Sequence, residues 1–461
     1  MADIGEGKRR AGTGLHADQL KGVGLVLGMN AVVLGGGMSG LMAAHVLAGH
    51  FERVTLVERD GGGSADPRRG VPQGWHPHVL ALKAAPLLER LFPGLGEEFI
   101  ASGGLRVGML DQHRINYYGH QFRQSKSELE TVWASRPFLE EGIRSRVRAH
   151  TNVTTRFGWE AVTPISGPPG RVTGVRIARI DDGEAEDLTA ELVVDATGRG
   201  GRARGWLGEM GYEAPREDRV QVNLGYASRL VECAPDVLGH DRAIVVGPKL
   251  DRPRGFYFTV QEAGQWTMTV FGYGDHRPSV DPDRLMAQAE ALAPPDVWEV
   301  IRSARVSPEV HSFQVPRTFR RRYDRLSRFP EGLLVTGDAL AVLNPLYGTG
   351  IMSSAAYALV LQERLREGLD GIHRGFFRDA ARVVLEPWLF SSLSDSFLPG
   401  VKGFRTPGSG VASWYLRRMV AAAQHDATVA AAFVRVAGAL DSPLALARPA
   451  IMRRVIGPRK G

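Results

Sequence analysis

Apolar residues come in short, partly β-branched runs separated by glycine-rich turns along the N-terminal half. Ala31-Val32-Val33-Leu34 and Val54-Thr55-Leu56-Val57 read as buried parallel strands, since neither run alternates with charged positions. Residues 41–47 between them read as a helix, with Ala43 and Ala44 small enough to pack tightly on a sheet. Residues 192–195 and 332–335 repeat the strand pattern, each closing on a small-residue turn. From 220 the pattern changes. Residues 220–231, 255–260 and 265–273 alternate apolar with polar or aromatic positions, as antiparallel strands do, and 114–123 reads as an addition to the same sheet. Alternation puts Phe256 and Phe258 on one face and Tyr257 on the other. From about Gly371 onward helical patterning dominates, broken over 399–410.

The chain has 461 residues, 43% hydrophobic and 23% charged, which is too long for one hydrophobic core and predicts two or three packed units. The single cysteine, Cys233, excludes an internal disulfide and any Cys-x-x-Cys redox pair, and a reducing, cytoplasmic location is expected. The net charge of +7 reads mainly as solvated surface. No basic run is longer than three residues, and Arg320-Arg321-Arg322 lacks interleaved aromatics, so nucleic acid is not an expected partner. No Asp, Glu, Lys or Arg occurs over 22–51, a stretch a hydropathy scan would mark as a membrane helix. The glycines in its middle argue against a transmembrane segment, and 1–28 reads as a flexible N-terminal extension ahead of Met29.

The candidate chemistry begins where the first strand enters Gly35-Gly36-Gly37-Met38-Ser39-Gly40, which fits G-x-G-x-x-G. Gly35 permits a tight turn, Gly37 lets backbone approach a pyrophosphate, and Gly40 allows close helix–strand contact. The helix start offers unpaired N–H groups to phosphate, and Glu58, closing the second strand, can accept ribose hydroxyls. Strand, glycines, helix, strand and acid in this order predict a dinucleotide site. They do not choose FAD from NAD.

Two later segments do. Asp195-Ala196-Thr197-Gly198 follows the 192–195 strand, and Thr336-Gly337-Asp338-Ala339 leads to Asn344-Pro345-Leu346-Tyr347-Gly348-Thr349-Gly350 and a helix rich in small residues from Ile351. This trio resembles the FAD-dependent monooxygenases related to para-hydroxybenzoate hydroxylase, over residues 30–361. Arg68-Arg69-Gly70-Val71-Pro72-Gln73-Gly74-Trp75-His76-Pro77-His78 resembles a stretch of the bacterial flavin epoxidases of polyether biosynthesis, with Trp75 in place of their usual arginine. Ser135-Arg136-Pro137-Phe138-Leu139 resembles their Ser-Arg-x-x-Leu helix start, and Pro387-Trp388 and Asp395 are similar as well.

The resemblance implies an α/β fold: a Rossmann-like FAD-binding domain, an α+β second domain built on a substrate-binding β-sheet, and a C-terminal helical region. The expected boundaries are 29–108, 133–213 and 318–370 for the FAD domain, 109–132 and 214–317 for the substrate sheet, and 371–461 for the helices. Implied cofactor contacts are Gly35, Gly37, Met38, Ser39, Gly40, Glu58, Arg59, Arg69, Gln73, Arg136, Asp195, Gly198, Asp338, Pro345, Gly348, Thr349, Gly350 and Ile351. Among these, Asp338 would hold the ribityl chain, and the Pro345, Gly348 and Gly350 loop would lie against the isoalloxazine. A helix starting near Gly350 would aim its positive end at the flavin N1–C2=O edge. The aromatic-rich sheet offers Tyr226, Phe256, Phe258, Trp266 and Phe271 as candidate substrate-pocket residues. His76 and His78 have no third ligand nearby, so a structural or flavin-edge role is expected rather than a metal site.

By this resemblance the expected activity is epoxidation of an olefinic natural-product intermediate, a polyketide or prenylated aromatic, through a flavin C4a-hydroperoxide. FAD is the cofactor, O2 the oxidant, and NAD(P)H the electron donor, directly or through a flavin reductase. The chemistry asks for no protein nucleophile. Rival readings are an aromatic hydroxylase, a flavin-dependent reductase of isoprenoid double bonds, and a non-catalytic flavin-binding scaffold; the oligomeric state stays open.

Overall fold

Five parallel strands open the computed structural model, which describes residues 26–61, 71–403 and 409–457. Their order is Leu333–Val335, Leu192–Asp195, Gly28–Leu34, Phe51–Glu58 and Val153–Phe157. Ala31, Val32, Val33 and Leu34 are all buried, as a strand covered on both faces must be. The first strand begins at Gly28, inside the segment read as an N-terminal extension. Residues 1–25 of that segment, and Arg69, lie outside the described residues.

The helix Met38–Ala48 follows at once and packs on this sheet through Ala43, Ala44 and Leu47. It also packs against Thr349–Leu365, so the first and last parts of the FAD-type motif set meet in space. A three-stranded antiparallel sheet, Trp159–Ser166, Val172–Arg179 and Ala185–Thr189, lies alongside.

A second large sheet runs Ala341–Val342, His311–Arg321, Glu217–Glu232, Trp266–Tyr273, Arg254–Val260, Ala243–Val246, His113–Tyr117, His120–Gln121. It is antiparallel except where Ala243–Val246 pairs with His113–Tyr117. One face is covered by two helices, Pro282–Glu290 and Pro295–Ser303, whose Leu285, Ala289, Val297 and Ile301 join a core with Phe256, Phe258, Trp266 and Met268. The opposite face turns toward the parallel sheet. The basic triplet is structural: Arg321 is buried and donates to Glu217 and to the carbonyls of Ala339 and Arg199, while Arg320 and Arg322 pair with Asp218. One guanidinium thereby joins the large sheet to two turns beyond the parallel strands.

The C-terminal helices Ile372–Asp395, Ser409–Ala423, Ala427–Ala437 and Pro449–Ile456 pack over the edge of the large sheet. Val420, Val429, Phe433 and Val434 form a core there with Ile115 and Phe122. Among the described residues no helix is long and apolar enough to cross a membrane.

Gly40 is where strand and helix come closest, because a Cβ there would strike the Gly35 carbonyl oxygen. Gly40→Ala is therefore expected to lower stability by about 1–3 kcal/mol, the usual cost of overpacking. Denaturant unfolding against wild type measures it.

Candidate functional site

Between the parallel sheet and the bare face of the large sheet lies a cavity of about 1340 Å³. Its wall is continuous from the Gly35–Ser39 turn, past Asp338 and the Pro345–Gly350 loop, to aromatic residues of the large sheet and C-terminal helices.

At the nucleotide end, Gly37 precedes the helix Met38–Ala48, which has neither a side-chain cap nor an acidic residue in its first turn. A Cβ on Gly37 would meet nothing within 4 Å. The N–H groups of this helix start are thus presented to the cavity, the arrangement that receives a phosphate. The Glu58 carboxylate accepts from the N–H groups of Gly36 at 2.7 Å and Asp60 at 2.8 Å, and it lines the same wall. Arg59, Gln73, Met38, Ser39 and Gly198 line it too, and Ser39 Oγ lies 2.7 Å from Ser354 Oγ. Arg136 enters from the start of Arg136–Arg148, where Ser135 caps the helix by accepting from Phe138 N–H; its guanidinium donates to Glu140 at 3.1 Å.

Midway, Asp338 presents a side chain that is 48% exposed, to the cavity, with Arg199 Nε 3.9 Å away. Removal from bulk water raises its pKa, while the guanidinium charges of Arg199 and Arg136 oppose the rise. The loop that follows ends at Gly348, whose φ of +64° starts the helix Thr349–Leu365 without a side-chain cap. Pro345, Gly348, Gly350 and Ile351 line the cavity, and no Cβ contact would arise at Gly350. A second helix start therefore faces the same space. It begins one residue before the expected Gly350. These residues fit FAD: one bare helix start for the pyrophosphate, a carboxylate for ribose, Asp338 for the ribityl chain, and a second helix start for the ring edge.

Four expectations need correction. Asp195 is fully buried behind the wall, accepting from Thr197 N–H at 3.0 Å and Ala203 N–H at 2.7 Å and from the Thr197 hydroxyl; it braces the turn that carries Gly198. Gly40 acts through packing and does not line the cavity. Thr349 is buried off the wall, its Oγ1 without a partner among the described residues. Of the five pocket aromatics only Tyr226 lines the cavity. Phe256, Phe258 and Trp266 lie on the opposite face, where Phe258 stacks on Trp266 at 4.5 Å, and Phe271 is packed beneath Tyr257 at 4.8 Å. The alternation holds, but the helices 282–303 claim the phenylalanine face, leaving Tyr257 to the cavity. The spacing of Leu285, Ala289, Val297 and Ile301 is the signal that reveals this.

Other lining residues carry no local motif: His113, Tyr117, Trp133, Thr259, Phe313, Phe390 and Phe433; Tyr347 lines the cavity from within the Asn344–Gly350 loop. His76 and His78 also line it. His76 Nδ1 lies 2.7 Å from Ser228 Oγ, which lies 2.6 Å from Thr269 Oγ1, and His78 Nδ1 lies 2.8 Å from the His76 carbonyl oxygen. Burial, with the charges of His78 and His311 next, pushes the His76 pKa down to about 3, so the ring is neutral at neutral pH.

Beneath the loop sits Asp395, 1% exposed at the end of Ile372–Asp395. It accepts from Asn344 Nδ2 at 2.8 Å, Tyr273 Oη at 3.0 Å and Tyr347 Oη at 3.1 Å, while Asn344 Oδ1 accepts from Leu346 N–H. Burial pushes its pKa up to about 6, and the three hydrogen bonds hold it from rising further.

Asp338→Ala is expected to weaken FAD binding about 10–100-fold with the fold retained, as for loss of a charged hydrogen bond. Flavin titration of the apoprotein, with circular dichroism as control, measures this. For Asp395 the folded pKa of about 6 lies above the ordinary carboxylate value. Folding therefore takes up a proton between the two values, and its stabilisation, full below about pH 4, is lost as pH rises through about 6. Asp395→Asn should flatten the stability change over that window in denaturant unfolding.

Residues 29–374 match the family described as FAD binding domain. The chain is 32% identical over 440 residues to Protein Rv3254 of Mycobacterium tuberculosis, covering 90% of each. It is similar in fold to p-nitrophenol 4-monooxygenase PnpA from Pseudomonas putida, at TM-score 0.63 and 17% identity over 94% of this chain and 100% of that one. It is similar also to PqsL of P. aeruginosa, crystallised with 2-aminobenzoylacetate, at TM-score 0.62 and 17% identity over 81% and 97% of the two chains. With the helix starts, Glu58 and Asp338 arranged around one cavity, the chain belongs to the FAD-binding-domain family.

Proposed function

We propose that this flavoprotein is an FAD-dependent monooxygenase that epoxidises a carbon–carbon double bond of an olefinic natural-product intermediate, a polyketide or prenylated aromatic. The observation that carries the reading is one continuous cavity joining the nucleotide-binding turn to an aromatic-lined end, with the Pro345–Gly350 loop between them. When bound and reduced, FAD supplies activated oxygen from O2, with electrons from NAD(P)H directly or through a flavin reductase. The chain's own residues do three things. Gly37, Glu58 and Asp338 bind; the Asp395 clamp on Asn344 and Tyr347 fixes the loop; and Tyr117, Tyr226, Tyr257, Phe313, Phe390 and Phe433 exclude water and hold an apolar substrate. A cytoplasmic location goes with this reading.

The second reading is an aromatic hydroxylase. It is favoured by His76, whose Nε2 has no partner among the described residues and whose ring lies 5.4 Å from that of Tyr226. With Nδ1–H donated to Ser228 Oγ, Nε2 would accept a hydrogen bond from a phenol hydroxyl and orient it. PnpA, named for its action on p-nitrophenol, supports it by fold alone.

The test is anaerobic reduction of the purified enzyme followed by rapid mixing with O2, recording flavin spectra. A transient band distinct from oxidised and reduced flavin is expected; direct return to oxidised flavin in the presence of olefins and phenols alike would refute oxygen insertion. Product mass and NMR then separate epoxide from phenol.

A further inference from the structure

The cavity end farthest along the large sheet carries a polar cluster within apolar walls. In register, His113 pairs with Ala243, and Ala243 with Thr259, so these three residues lie in one row across neighbouring strands. All three are on the face that turns to the parallel sheet, since His113 and Thr259 line the cavity with Ile115, Val245 and Tyr257 of the next row. Trp133, from the strand Glu130–Trp133, packs on Ala243 and meets the His113 ring edge-on at 5.4 Å. Ala243 adds only a methyl group between His113 and Thr259 in this row, and His113, Trp133 and Thr259 all line the same cavity.

Each of those groups is buried and lacks a partner. His113 is 9% exposed, Trp133 3% and Thr259 2%. Both His113 nitrogens, Trp133 Nε1 and Thr259 Oγ1 have no hydrogen-bond partner among the described residues. A buried polar group left unpaired costs about 1–3 kcal/mol, so a protein that keeps three together in its binding cavity does so for a ligand that satisfies them. The indole can only donate, and the hydroxyl and imidazole can each donate as well. Their common complement is an acceptor oxygen. Burial pushes the His113 pKa down to about 4 against the opposing pull of Asp241, so the ring is neutral at neutral pH. The adjacent Arg114 is engaged with Asp241 and Asp296.

We propose that His113, Trp133 and Thr259 form a recognition site for a neutral carbonyl oxygen, which makes the substrate an unsaturated or aromatic ketone rather than a bare hydrocarbon or a carboxylic acid. This rests on the monooxygenase reading only in calling the ligand a substrate. The keto group docks at this end, and the rest of the molecule extends along Tyr257 and Tyr226 toward the Pro345–Gly350 loop.

The test uses three bicyclic probes of matched size, 2-acetonaphthone, 2-ethylnaphthalene and 2-naphthoate, titrated calorimetrically into the oxidised holoenzyme at neutral pH. The ketone is expected to bind about tenfold tighter than either of the others. Thr259→Val, nearly isosteric, and His113→Leu should each reduce that advantage to about threefold or less while leaving 2-ethylnaphthalene affinity nearly unchanged. Flavin content and circular dichroism report folding, and Thr259→Val carries the test if His113→Leu does not fold. Equal affinities for ketone and hydrocarbon, tightest binding of the carboxylate, no binding of any probe, or an advantage that persists in the variants would overturn the proposal. No oxygen chemistry enters this titration. A failed O2 experiment would remove the monooxygenase reading and leave the binding order standing, and the reverse holds equally.

Discussion

Two helices start at the same cavity without side-chain caps, and that shared demand for an anion organises the rest. Met38–Ala48 follows Gly37, Thr349–Leu365 follows Gly348, neither has an acid in its first turn, and the two pack against each other. Bare N–H groups at a buried helix end are unfavourable until something accepts from them. A dinucleotide flavin would resolve both ends at once, with its pyrophosphate at the first and the electron-rich ring edge at the second. The buried Arg321, which binds the carbonyls of Arg199 and Ala339, holds the intervening turns in step with the large sheet. Flavin binding and the placement of the substrate wall are therefore one mechanical problem.

The loop that leads into the second helix has a polar anchor of its own. Asp395 provides it from beyond the second helix. A carboxylate here accepts from Asn344, Tyr273 and Tyr347 together, which ties loop, large sheet and C-terminal helix at one point. Replacing it by an apolar residue would take the acceptor from the Tyr273 and Tyr347 hydroxyls and leave Asn344 Nδ2 only its 3.2 Å bond to Tyr273 Oη, a larger loss than any one of the bonds.

What could be read from the chain follows the range over which each interaction acts. The strand, glycine turn, helix and terminal Glu58 are contiguous, so their order alone pointed to a dinucleotide, and the cavity wall contains Gly35, Gly37 and Glu58. Strand alternation separated Phe256 and Phe258 from Tyr257 correctly. Which face meets the cavity depended on helices 282–303, more than twenty residues farther on, and the richer aromatic face turned out to be their core. Asp195 ends a strand as Glu58 does, yet the turn after it folds back so that Thr197 and Ala203 take up its carboxylate. Asp395 and Asn344 lie 51 residues apart, and no local pattern announces their bond.

The same logic separates what the family shares from what this chain decides for itself. The family match ends at 374, and it contains both helix starts, Glu58, Asp338 and the Asn344–Gly350 loop. Phe390, Phe433, Val434, Ala437 and Gly438 all lie beyond it, yet they line the cavity. Gly438 is held against the FAD-side segment by its carbonyl, which accepts from Lys83 N–H at 3.1 Å, and a Cβ there would press into Leu82. The C-terminal helices thus form a wall of the binding space rather than an appendage. One fold can host different sites, so likeness to PnpA and PqsL at 17% identity speaks to the fold alone. The glycine motifs therefore carry the cofactor argument, while Tyr257 and His113 within the family match and Phe433 beyond it line the same cavity without being constrained by those motifs.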